Sequence, residues 1–157
     1  MERLRLVLVL PLALLGGCAL FQEPAPVPEV PGESAAVTAT AAPPPPAAAR
    51  TAEAFDTTTA AQRAAATAVP ARQGETRLGT TIVSLGPPAE PGLWLRTGLV
   101  SAVTMGRIED AQSGTSVALE LRPSGGPATG GSEISLAAMR LLGVPLTAMP
   151  EVVAYRD

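Results

Sequence analysis

Apolar and polar positions divide this chain into four stretches with different rhythms. From Leu6 to Leu15 the residues are apolar, with one proline and no charge. Residues 19–52 show neither a helical nor a strand period: Pro, Ala, Val and Thr dominate, and Pro43-Pro44-Pro45-Pro46 forms an uninterrupted run. Residues 56–69 predict a short helix. Asp56-Thr57-Thr58-Thr59 supplies capping side chains, Thr59-Ala60-Ala61-Gln62 fits a capping box, and alanine carries the helix to Pro70. Its faces are nearly all alanine, so it can pack only weakly.

From residue 77 the rhythm changes to short alternating runs broken by turn residues, which predicts strands. The candidates are Thr80–Leu85, ending at Gly86-Pro87-Pro88; Leu93–Val100; Val103–Glu109; Val117–Leu121, with Val117, Leu119 and Leu121 on one face; and Val152–Tyr155. Between the last two, Pro123-Ser124-Gly125-Gly126-Pro127 and Gly130-Gly131 break the chain. Ser135 then caps a helix over Leu136–Leu142, with Leu136, Met139 and Leu142 on one face and Gly143 at its C-terminal cap. Five strands and one capped helix in residues 77–157 predict a small, mainly β domain.

Composition narrows the chemistry. The chain has no histidine, the commonest general base and metal ligand, and a single cysteine, Cys18, so it has no internal disulfide. All eleven basic residues are arginine, and the formal charge is −3, which gives no footprint for nucleic-acid binding. No carboxylate cluster has metal-ligand spacing, no glycine-rich loop ends in Lys-Ser/Thr, and no serine elbow has a histidine to serve it. Neither a cofactor nor a metal is expected.

Arg3 and Arg5, the apolar run and Leu15-Gly16-Gly17-Cys18 together form an export signal. The run is about ten residues long, against the ~20 needed to cross a bilayer as a helix. The small residues before cysteine resemble the lipobox of bacterial lipoproteins. That resemblance implies a signal at 1–17, lipidation of Cys18 and a membrane partner reached through the acyl chains. Ala19 leans towards the periplasmic face of the outer membrane, because in the resembled family an aspartate there favours the inner membrane. Residues 18–55 are then the lipidated cysteine and a disordered Pro/Ala tether, either a plain spacer or a proline-rich ligand, and the short helix occupies 56–70.

The order of elements in the folded part carries a second resemblance. Ser113–Leu121, Gly126-Pro127 and Ile134–Val144 look like the turn, "GRSVVVRV" strand, "NDRGP" loop, "IDLS" strand end and "AAARKLGM" helix of the rare lipoprotein A family. The similarity covers roughly residues 103–155. It implies a six-stranded double-psi β-barrel and contact with peptidoglycan, which some members cleave. The family's loop aspartate falls at Ser124, its histidine falls near Thr97, and its "IDLS" aspartate falls at Glu133. Ser124, Glu133 and Trp94, whose ring offers a face to a sugar, are therefore the candidate ligand-binding residues, and no catalytic residue is assigned. Glu133 reads otherwise as a solvated side chain or a helix N-terminus partner. The chain also resembles small proteobacterial lipoproteins with an "FDTTT" helix start (Phe55–Thr59) and a "GLWL(R)T…LV" strand (Gly92–Val100). Some of these carry the name galactarate dehydratase, a chemistry for which this chain has no residues. The expectation is a non-catalytic binding or scaffolding domain for peptidoglycan or an envelope protein. The alternative is a lytic transglycosylase, which would need an acidic pair meeting near Glu133, with Glu109, Asp110 or Glu120.

Overall fold

The computed structural model describes residues 41–68 and 74–157. The expected signal, Cys18 and the first part of the tether lie outside the described residues.

Six strands form one closed barrel: β1 (Thr76–Leu85), β2 (Trp94–Thr97), β3 (Thr104–Asp110), β4 (Ser116–Pro123), β5 (Ser132–Ile134) and β6 (Glu151–Arg156). Around the barrel the order is β1-β5-β2-β4-β3-β6. Two pairs are parallel, β1 with β5 and β2 with β4, and the other pairs are antiparallel. Exchanging β1, β2 and β3 for β4, β5 and β6 leaves this order and these directions unchanged. The two halves therefore interlock through their parallel pairs, which is the double-psi arrangement expected from the sequence.

Alternation decides what fills the barrel. Val117, Leu119 and Leu121 of β4 point inward as their spacing predicts, and Val83, Leu95, Ile108, Ile134, Val152 and Ala154 join them in one apolar cluster. The helix Leu136–Leu142 (here α3) adds Ala138, Met139 and Leu142 to that cluster. Ser135 caps it, accepting from Ala138 N, and Gly143 closes it in the left-handed region with φ 74°.

The strand that the alternation pattern missed is β5, which lies where the resemblance puts its "IDLS" strand end. Its three residues, Ser132-Glu133-Ile134, are too few to show a period, and it exists because β1 and β2 pair with it on either side. Conversely β2 stops at Thr97, short of the expected Val100. A Cβ on Gly98 would fall 2.3 Å from the Pro127 carbonyl oxygen. The chain therefore leaves the sheet where the 123–131 loop presses against it.

Among the described residues, two helices precede the barrel: α1 (Ala52–Phe55), capped by Thr51, and α2 (Ala60–Thr67), capped by Thr59 with the full capping box to Gln62. The expected helix over 56–70 is thus shorter at both ends, because Asp56-Thr57-Thr58 serves as its lead-in. Residues 41–55, expected within the tether, follow a defined path. Ala49 is buried, Thr57 donates its hydroxyl to the Pro43 carbonyl, and Gln62 donates its side-chain amide to the Ala41 carbonyl.

Candidate functional site

The three candidate residues meet three different fates, decided by which face of β2, β4 and β5 each occupies. In β2, Leu95 points into the barrel and Trp94 and Arg96 point out. The neighbouring parallel strand β4 sets Glu120 opposite Trp94 and Arg122 opposite Arg96. On the other side β5 sets Glu133 opposite Arg96. One outer patch therefore collects an aromatic ring, two guanidiniums and two carboxylates. Glu90, from the loop before β2, supplies a third carboxylate.

Trp94 lies at the bottom of this patch and is fully buried. Contrary to the expectation from sequence, its ring presents no free face to a sugar. The guanidiniums of Arg96 and Arg122 lie 4.8 and 5.3 Å from its ring centroid, and Gly86 sits so close that a Cβ there would come within 2.6 Å of the indole. Its Nε1 donates to the Glu90 carbonyl oxygen at 3.4 Å. Its backbone exchanges hydrogen bonds with Ser135, whose hydroxyl caps α3. Trp94 thus joins β2 to the helix and seats the two arginines, and a cation over an indole face is itself favourable.

Glu133 is neither simply solvated nor a helix partner. Arg96 donates to it at 2.6 Å and to Glu90 at 2.8 Å. Arg122 donates to Glu90 at 2.6 Å and to Glu120. The five side chains form one chain of ion pairs, Glu133–Arg96–Glu90–Arg122–Glu120, with Glu133 at its more exposed end. The hydrogen bonds that Arg96 donates, to Glu90 first and to Glu133 second, hold it above the ordinary arginine pKa. Three carboxylates do come together here, but as acceptors of guanidinium hydrogen bonds. Glu109 pairs with Arg107 instead, and Asp110 holds the turn before β4, accepting from Ser113 and Gln112.

Ser124 sits exposed just past β4. Its amide donates to the Thr97 carbonyl oxygen at 2.9 Å and its hydroxyl accepts from Gly126 N at 3.2 Å. The side chain shapes its own turn and makes no hydrogen bond to Glu133 or Trp94. Among the described residues, open clefts are lined by other side chains. One lies beside β1 (Thr80, Thr81, Ile82 with Thr129–Gly131), one between α1 and α3 (Glu53, Asp56, Arg63, Arg140), and one beside the 99–104 loop with Arg156. Among the described residues no group of three or more His, Cys, Asp or Glu is arranged to hold a metal ion, and no helix is long and apolar enough to cross a membrane.

No protein-family model, curated protein or solved structure matches the chain.

The sequence reading missed Glu90, Arg96 and Arg122. Their signal was present: Trp94 and Arg96, and Glu120 and Arg122, are i, i+2 pairs and so share a strand face. Only the pairing of β2 with β4 brings the two pairs together.

Proposed function

We propose that the protein is a lipid-anchored cell-envelope protein, held through Cys18 at the periplasmic face of the outer membrane, whose barrel binds or scaffolds and does not cleave. The observation that carries the non-catalytic half is the ion-pair chain around Glu133. Breaking a glycosidic bond without a metal requires a carboxylic acid that hands its proton to the leaving oxygen, and usually a second carboxylate across the bond. Glu133, Glu90 and Glu120 are each engaged by an arginine, and Ser124 carries no acid. This supports the binding reading over the transglycosylase one.

The anchored half rests on Leu15-Gly16-Gly17-Cys18 behind a short apolar run. Two or more acyl chains on one cysteine make a stable anchor, since each buried methylene contributes ~0.8 kcal/mol. The partner in this reading is peptidoglycan or an envelope protein, met by the outer face of the barrel. Fatty-acid labelling tests the anchor: wild type takes up label and Cys18→Ser does not. Equal labelling of both would end the lipoprotein reading. Co-sedimentation of the full chain with purified peptidoglycan tests which partner the barrel meets.

A further inference from the structure

Residues 41–68 contact the barrel differently from the way the barrel contacts itself. Most of the side-chain hydrogen bonds of this strap are internal. Thr51 and Thr59 cap its two helices, Gln62 reaches back to Ala41, Thr57 to Pro43, and Arg63 to the Thr58 carbonyl. Of its helical residues only Ala66 joins the barrel's apolar cluster, as α2 lies along β4. Among the described residues, the side-chain ion pairs from strap to barrel run through one group. Arg140 of α3 meets Asp56 at 3.1 Å and Glu53 at 3.6 Å.

The barrel is closed without the strap. β1 pairs with β6 from Thr76 onward, and immediately before it Glu75 is gripped by Arg107 at 2.9 Å, with both side chains nearly buried. Any opening that starts in the strap therefore meets a firm stop at Glu75.

We propose that residues 41–68 are a releasable strap, latched by Arg140, that undocks as a unit while the barrel stays folded. Segments with few buried apolar contacts open locally at much lower cost than a core does. The consequence for reach rests on the anchor at Cys18; the undocking does not. Residues 18–40 span at most about 80 Å when fully extended, and residues 41–68, once released, span at most about 95 Å more. The strap would let one chain serve two distances between the membrane and its partner.

Hydrogen exchange on the full chain tests this, with wild type, Arg140→Ala and Cys18→Ser compared. In wild type the α2 amides should exchange at least about 100-fold faster than those of β3 and β4. Arg140→Ala should speed α2 by a further factor of about ten or more, because Asp56 keeps only 5 % of its side chain in solvent and loses its guanidinium there, and leave β3 and β4 unchanged. Strap and barrel amides exchanging together, or an Arg140→Ala effect that is absent or equal in both regions, would overturn the proposal. Cys18→Ser should reproduce the wild-type exchange. A failure of the anchor reading would show separately, as a mature chain without acyl mass but with the same strap kinetics.

Discussion

The barrel holds two arginine–aromatic clusters, and they differ in how much water reaches them. At one, Arg107 lies 4.2 Å from the Tyr155 ring centroid and donates to Glu75, Glu109 and Ser116 while only 3 % exposed. At the other, Arg96 and Arg122 cover Trp94 with about 30 % of each side chain still in solvent. Both use a guanidinium to cover a ring and satisfy carboxylates. The sealed cluster ties Glu75, at the start of the barrel, to β3 and β6. The open one lies over β4, β2 and β5 and presents carboxylates to solvent. Burial raises both the strength of an ion pair and the cost of breaking it, so the sealed cluster should govern stability and the open one surface chemistry.

The sharpest way to break this comparison is to cut each cluster at its arginine. Arg107→Ala removes the guanidinium that grips the nearly buried Glu75 carboxylate and should cost about 3–5 kcal/mol, read as a large drop in the denaturant midpoint. Arg96→Ala should cost about 1 kcal/mol or less, because its partners can turn to water. Similar losses for the two variants would mean that exposure does not separate the clusters. Salt sharpens the test. At 1 M the screening length is about 3 Å, so the Arg96→Ala penalty should shrink while the Arg107→Ala penalty persists.

Acid offers a second, smaller contrast on the barrel's sealed side. Asp110 is almost buried, and hydrogen bonds, first from Ser113 N, hold its carboxyl below the ordinary aspartate pKa. A depressed folded pKa means stability that is present above the unfolded value near ~3.9 and lost as pH falls through the folded one. Asp110→Asn should therefore flatten the stability–pH curve in that acid window, measured by denaturant titration at several pH values. The smallest effect is expected at Glu133→Gln, within about 1 kcal/mol, since Glu133 sits at the exposed end of its chain.

The alternation of Val117, Leu119 and Leu121, the Ser135 cap and the Thr59–Gln62 box were legible because each is written within a few neighbouring residues. The double-psi expectation came from the resemblance of residues 103–155 to the rare lipoprotein A family. What stayed hidden depends on non-local pairing. β5 is held on both sides by strands from the other half of the sequence. The Arg96–Glu133 pair depends on β2 running antiparallel to β5, and the burial of Trp94 depends on β4 bringing Arg122 alongside. An isolated tryptophan on a polar strand face reads as available in one dimension. Only the closed barrel shows that two guanidiniums cover it.

In the proposed reading, the carboxylates gathered at Glu133 serve as ion-pair partners and not as acid catalysts. That role is tested most directly by incubating the wild-type chain and Glu133→Gln with purified peptidoglycan and analysing the soluble products by mass spectrometry. The account predicts no anhydro-muropeptides from either protein, with both remaining folded. Robust release by wild type that is lost in Glu133→Gln would contradict it.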